Sequence, residues 1–192
     1  RRETSQFGVE RTLATNLIGP WALTAGLLPH LRRGTSSRII WVSSGGMYTQ
    51  RLNLPDLRTP PEPFDGVRAY AQTKRAMAIL SEQLATELNK MNISVHCMHP
   101  GWADTPGVEH SLPGFWKLTR PILRTPEAGA DTIVWLAAAT ASNQPTGQFW
   151  FDRAPRSPHL LPGTRATAES REQLWNNIHA WSGLTPDVWT SS

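Results

Sequence analysis

The sequence predicts an α/β fold, a parallel sheet of three strands with flanking helices. Long stretches with apolar residues at helical spacing alternate along the chain with short β-branched runs bounded by glycine or proline. Two of those runs end in Ser43-Ser44-Gly45-Gly46 and Pro100-Gly101, at the edge where such sheets bind ligands. A length of 192 residues suits one domain with its own core and is short for two.

Gln6 to Leu31 reads as the first helix, with Phe7, Leu13, Leu17, Trp21, Leu27 and Leu28 recurring near helical spacing. Pro20 is expected to bend it, because proline removes a donor and crowds the preceding turn. Arg38 to Ser43 predicts the first buried strand. Residues 44–66, with Pro55, Pro60, Pro61 and Pro63, read as a loop. Val67 to Met91 predicts a second helix and Ile93 to His99 a second strand, stopped by Pro100-Gly101. Residues 100–125 are punctuated by proline and glycine, with a short helix expected over Leu112 to Leu118. Pro126 to Ala141 reads as a third helix, Thr125 capping it and proline in its first turn.

Gly147 to Asp152 predicts the third strand, Arg153 to Gly163 an extended linker, and Ala168 to Trp181 a last helix. The chain thus divides into a sheet-and-helix region, 1–152, and a tail, 153–192. Leu174, Ile178 and Trp181 share a helix face with Trp175 beside them, so Trp175 and Trp181 are expected to be largely buried. The tail either folds back over the substrate cleft of its own domain or docks on a partner subunit.

Composition narrows the function. Hydrophobic residues make up 39%, and the longest apolar runs, such as Ile133 to Ala139, fall far short of the ~20 residues of a membrane span, so a soluble globular protein without a transmembrane segment is expected. Nineteen basic and 15 acidic side chains are spread along the chain, which argues for a solvated surface and against nucleic-acid binding. Cys97 stands alone, excluding a disulfide framework or thiolate metal site and fitting a reducing, intracellular and most simply cytoplasmic setting. His96 and His99 fall on opposite faces of a strand and the other histidines lack ligand spacing, so no metal is expected. Ser44 lacks the Gly-x-Ser-x-Gly of a serine hydrolase.

The chemistry concentrates in "AYAQTKR". Two tyrosines and three lysines would give a Tyr-to-Lys pair at this spacing in roughly one such chain in thirty. On a helix Tyr70 and Lys74 share a face. An ammonium favours the ionised form of a phenol whose usual pKa is near ~10, which makes tyrosine a usable acid or base. Taken alone the pair is as readily an exposed helical pair without a role. Ser43 and Ser44 close the first strand, where a hydroxyl can donate to a carbonyl oxygen or simply cap a turn. His99-Pro100-Gly101-Trp102-Ala103-Asp104-Thr105 brings a turn and a further hydroxyl to the same edge. Asn16 sits mid-helix, a poor position for asparagine unless its side chain is used.

Asn16 in "NLIGP", Ser43-Ser44 in "VSSGG", Tyr70 and Lys74 in "YAQTK", and Pro100-Gly101 to Thr105 in "HPGWADT" resemble the short-chain dehydrogenase/reductases. Order and intervals match along essentially residues 1–152, and the interval from Ser44 to Tyr70 resembles the retinol-dehydrogenase-like branch. The resemblance implies an oxidoreductase that passes hydride between NADP or NAD and an alcohol or carbonyl. It implies Tyr70 as proton donor or acceptor, and Lys74 as the residue that lowers the tyrosine pKa and holds the nicotinamide ribose. Ser44 would bind the substrate oxygen, with Ser43 in reserve, and Asn16 would anchor a water. Pro100, Gly101 and Thr105 would line the nicotinamide. From the residues themselves, Trp102, Val108, Leu112, Phe115 and Trp116 either roof an apolar pocket for a bulky, lipid- or retinoid-like substrate or form a packed surface cluster.

The family's glycine-rich turn and its Asn-Asn-Ala-Gly stretch have no counterpart here. By this resemblance the chain is the C-terminal half of a Rossmann-type doubly wound sheet, with the N-terminal strands absent. The first strand then presents an open edge, to be covered by a homo-oligomer or a partner subunit. A fragment of a longer enzyme is the first expectation, and a non-catalytic structural or interaction subunit the alternative. NAD and NADP are not distinguished, because the deciding residues follow a strand that is absent.

Overall fold

The first helix begins where its free N–H groups find an acceptor. The computed structural model describes residues 1–111, 113–140 and 145–190, without the side chains of Ser111 and Phe115. It starts this helix at Arg11 rather than Gln6, because the Glu10 carboxylate accepts from the N–H groups of Thr12 and Leu13, both at 2.9 Å. Residues before it turn through Gly8 at φ +71° and close with a Thr4–Glu10 bridge. Helix α1 comprises Arg11–Leu13, a π turn over Ala14–Ile18, and Gly19–Leu31. The expected disturbance at Pro20 takes the form of that π turn: proline offers no N–H, and Gly19 N–H reaches back five residues to the Ala14 carbonyl.

Strand β1 is Ser37–Val42. The expected loop 44–66 contains a 3₁₀ turn, Gly45–Thr49, capped by Ser44, and a short helix α2, Leu54–Arg58, capped by Asn53. Polar caps outweigh the prolines there, since Pro55 occupies a first-turn position that needs no N–H. Helix α3, Gly66–Leu88, starts at an Asp65 cap, and Asn92 in the left-handed region turns the chain into β2, Ile93–Met98. Two helices, α4 (Pro106–Ser111) and α5 (Pro113–Thr119), stand where one was expected, each opening on proline; Leu112 lies outside the described residues. Helix α6, Pro126–Ala138, has the expected Thr125 cap, whereas its expected end, Ala141, lies outside the described residues.

Strand β3, Phe149–Phe151, is shorter than expected because Asp152 and Arg153, both left-handed, turn it into β4, Ala154–Pro155. Sheet order is β1-β2-β3-β4, parallel across the first three strands and antiparallel at the last. The expected three parallel strands are therefore joined by a fourth, made from the start of the presumed linker. Among the described residues no strand pairs with the outer edge of β1.

One face of the sheet, with Ile39, Trp41, Val95, Cys97 and Phe149, packs against α1 and α3, and the last helix α7, Ala168–Ser182, adds Leu174 and Ile178 to the same core from the far side of those helices. The other carries Met98 and Trp150, covered by Leu136 of α6. Trp21 binds the tail to α1, meeting Trp175, His179 and Trp189 edge-on at centroid distances of 5.2, 5.2 and 4.7 Å. Trp189 is fully buried, while Trp175 and Trp181 are only partly so. The tail folds back on its own domain, and its helix packs toward the far end of α3 from Tyr70. Arg171 of α7 pairs with Glu82 at 2.7 Å, and Glu82 lies about 18 Å along α3 from Tyr70 at the α-helical rise.

Candidate active site

Tyr70 and Lys74 face one way because they sit one turn apart in α3, whose Asp65 cap fixes where the helix begins. Lys74 Nζ lies 5.6 Å from the Tyr70 ring centroid and donates to the Val42 carbonyl at 2.8 Å. That bond ties α3 to the last residue of β1 and leaves two of the three ammonium hydrogens for other acceptors. Burial holds the Lys74 ammonium below its ordinary pKa, against a smaller opposing influence from Cys97. Tyr70 is 38% exposed, so its phenol is reachable.

The two serines part company. Ser43 is buried, and its hydroxyl donates to the Lys74 carbonyl at 2.9 Å, which consumes it as a strap between β1 and α3. Ser44 is half-buried, and its Oγ accepts from Gly46 N–H at 3.2 Å. The turn-capping role foreseen for it is thus present, and its hydroxyl hydrogen stays available to a carbonyl oxygen. A Cβ placed on Gly46 would stand 3.6 Å from Ser44 Oγ and 3.9 Å from Ala71, which puts the serine beside the first turns of α3. A Cβ on Gly45 would stand 3.7 Å from Trp102 Nε1, so Trp102 borders the same spot.

Asn16, half-buried in the π turn, donates through Nδ2 to Thr73 Oγ1 at 3.3 Å, and Thr73 donates to the Tyr70 carbonyl at 2.7 Å. α1 and the tyrosine turn are coupled through that threonine. Pro100 and Gly101 close β2, Gly101 at φ +79°. Thr105 receives Val108 N–H at 3.4 Å and so caps α4. Lys74 bonds the last residue of β1 and stands beside Tyr70, Ser44 follows that strand with Trp102 bordering Gly45, Asn16 reaches α3 through Thr73, and Pro100 and Gly101 follow β2. Thr105 makes its hydrogen bonds within the first turn of α4. Of the roof residues, Trp116 bonds Asp104 at 2.7 Å, and Leu112 and the Phe115 side chain lie outside the described residues.

A groove of about 390 Å³ lies between α3 and α7, lined by Gln83, Glu87, Arg171 and Trp175, well away from Tyr70. A second hollow of about 270 Å³ opens on Asn16, Thr12 and Thr15. Neither encloses the Tyr70–Ser44 edge.

Two residues that tie these elements together were not singled out from sequence, and a third, His99, was weighed there in another role. Thr73 shows no signal beyond its place before Lys74. Arg75 is fully buried, donating to the carbonyls of Gln50, Met47 and Pro158 at 3.1, 2.9 and 2.6 Å. It falls at helical spacing from the buried Gln72 and Ile79, and a cation on a buried stripe is the sign that marks it. His99, weighed only as a metal ligand, stands two residues before the left-handed Gly101 and accepts its N–H.

Residues 2–151 match the sequence family described as enoyl-(acyl carrier protein) reductase. Dehydrogenase/reductase SDR family member 12 of Homo sapiens is 43% identical over 174 residues, 90% of this chain and 54% of that protein. Polyprenol dehydrogenase of Mus musculus is 30% identical, across 91% of this chain and 54% of its own length. The chain spans about half the length of the curated relatives it matches. Among solved structures, an uncharacterized protein of Mycobacterium paratuberculosis superposes with a TM-score of 0.71 at 22% identity, over 96% of this chain and 63% of that one. The strand order and parallel pairing are those of the C-terminal half of a Rossmann-type doubly wound sheet, with helices on both faces.

Proposed function

This chain belongs to the short-chain dehydrogenase/reductase family, and on that premise we propose that it is the proton-transfer half of a nicotinamide-dependent oxidoreductase. The observation that carries the reading is the Tyr70–Lys74 pair, held by the Val42 carbonyl at the strand edge that Ser44 also reaches.

A nicotinamide dinucleotide, when bound, supplies or accepts the hydride. The residues present fit its nicotinamide half. Lys74 keeps free N–H donors for ribose hydroxyls, and Pro100-Gly101 forms the turn that closes β2 at the adjacent strand edge. They do not fit the adenosine half, for which no glycine-rich turn follows a strand. We therefore assign that half of the cofactor, NAD or NADP, to residues of a longer protein.

Ser44 donates its hydroxyl hydrogen to the substrate oxygen and orients it. Tyr70 gives its phenolic proton to that oxygen in reduction, or takes it in oxidation. The Lys74 ammonium stabilises the phenolate that results, and burial strengthens that attraction over its value in water. Asn16 anchors a water that links Lys74 to solvent, and its bond to Thr73 fixes the turn from which Tyr70 projects. Pro100, Gly101 and Thr105 would line a bound nicotinamide. Trp102, 41% exposed beside Gly45, gives the substrate an apolar wall, so the substrate is a bulky hydrophobic alcohol or carbonyl.

Fluorescence titration with NADH and NADPH tests the division of the cofactor. A full-length protein containing these residues binds one of them, and the 192-residue chain alone binds weakly. Submicromolar binding by the isolated chain would overturn the division.

A further inference from the structure

The end of β2 carries a second polar assembly that the proton-transfer residues leave unused. Gly101 N–H donates to His99 Nδ1 at 3.1 Å, across two residues, which requires the ring to be neutral with its proton on Nε2. The ring lies flat on Phe151 at 4.2 Å and 5°, with Phe149 farther off at 5.8 Å and Tyr48 edge-on at 6.0 Å. Arg124 continues the stack, its guanidinium 4.6 Å from the Phe151 ring and paired to both carboxylate oxygens of Asp152.

The same arginine closes over the turn. A Cβ on Gly101 would stand 2.9 Å from Arg124 Nε and 3.1 Å from Cζ, so the position has no room for a side chain. The Arg124 main chain donates to the Trp102 carbonyl at 2.9 Å and accepts from Asp104 N–H at 2.8 Å. Turn, ring stack and ion pair are thus one fixed unit at the end of the sheet.

We propose that His99 is a positioning residue, which with Phe151, Arg124 and Asp152 locks the Pro100–Gly101 turn in the one conformation that accepts a nicotinamide ring. The nicotinamide part rests on the function proposed above. The charged groups facing the ring are Arg124 and Asp152, and the other titratable group beside it is the Tyr48 phenol. Burial first, and Arg124 second, hold the His99 pKa down to about 4, so the acceptor nitrogen is unprotonated at neutral pH. A left-handed glycine without such an acceptor would sample several turn geometries, and a bound ring would bear the cost of ordering it.

Two substitutions in the 192-residue chain separate the parts. His99→Phe keeps a flat ring and removes the acceptor; His99→Asn removes the ring and keeps an acceptor within reach of the second N–H along. Amide exchange followed by ¹⁵N NMR should show Gly101 protection at least ~10-fold lower in His99→Phe and retained in His99→Asn. The Trp150 indole N–H, bonded to His96 at 3.2 Å, reports that the rest of the sheet is intact. Unchanged Gly101 protection in His99→Phe overturns the proposal.

Should that variant fail to fold, the wild-type tautomer decides: long-range ¹H–¹⁵N correlation must place the proton on Nε2, and a proton on Nδ1 overturns it. Titration with reduced nicotinamide mononucleotide then tests the link to function, with weaker binding by His99→Phe and recovery in His99→Asn expected. Equal binding by all three proteins overturns the positioning role. Binding by none, with Gly101 protection still following the acceptor, counts against the nicotinamide reading and leaves the lock on the turn standing.

Discussion

His96 and His99 should make the fold acid-labile well above the range in which carboxylates titrate. Both are buried, on opposite faces of β2, and both use Nδ1 as an acceptor, from Trp150 Nε1–H and Gly101 N–H respectively. Burial, aided by Arg38 beside His96 and Arg124 beside His99, lowers each pKa from 6.5 to about 4. A base whose folded pKa is depressed binds fewer protons folded than unfolded between those two values. Stability is therefore unaffected above about pH 7, falls as pH drops through 6.5, and levels off below 4.

A shift of that size amounts to about 3 kcal/mol per histidine when fully expressed, and linkage gives about 2 kcal/mol each at pH 5. The pair then removes about 4 kcal/mol from a net stability that for such domains is about 5–15 kcal/mol. Carboxylates held low by arginines, such as Asp152 and Asp131, lose their contribution only below their unfolded pKa, near ~4, so the window from pH 5 to 6.5 belongs mainly to histidines. Urea unfolding followed by tryptophan fluorescence at half-unit steps from pH 7.5 to 4.5 measures the effect. His99→Asn, which keeps an acceptor and does not titrate, should about halve the slope. A free energy flat from pH 7 to 5 would refute the reasoning.

In a full-length protein that turns over, Tyr70→Phe should cost several orders of magnitude in kcat with cofactor affinity nearly unchanged, and Lys74→Ala should reduce both; steady-state kinetics with NADH and NADPH check this. Arg75→Leu leaves three carbonyls without their donor and should destabilise the chain by about 3 kcal/mol, read as a fall of roughly 6–12 °C in Tm. Trp189→Ala should cost about 3–5 kcal/mol by urea unfolding, because the indole is fully buried against Trp21 and bonded to His179 at 2.9 Å. Removal of residues 164–192 should then unfold the chain or drive it to associate, and a soluble truncated chain of unchanged size by scattering would contradict that.

Much of this architecture is legible in the sequence because it rests on local signals. The Thr125 cap with Pro126, the Pro100-Gly101 stop and the spacing of Tyr70 and Lys74 each act within a few residues. What escaped depends on uncommon local choices or on partners distant in the chain. The start of α1 is set by a glutamate cap, a residue type less common there than serine or aspartate. β4 exists because two non-glycine residues take left-handed conformations. Arg75 meets carbonyls 25 to 83 positions away, and no periodicity shows that pairing. The bond from the Ser43 hydroxyl to the Lys74 carbonyl, 31 positions away, likewise has no local sign.

The proton-transfer assignment is tested most directly by isotope transfer. A full-length protein containing these residues is given an apolar aldehyde or ketone and NADH or NADPH carrying deuterium at the transferable position, and the alcohol formed is weighed by mass spectrometry. The account predicts one deuterium per alcohol molecule with the wild-type enzyme and almost no product with Tyr70→Phe. Alcohol free of deuterium, or Tyr70→Phe forming labelled alcohol at the wild-type rate, would contradict it.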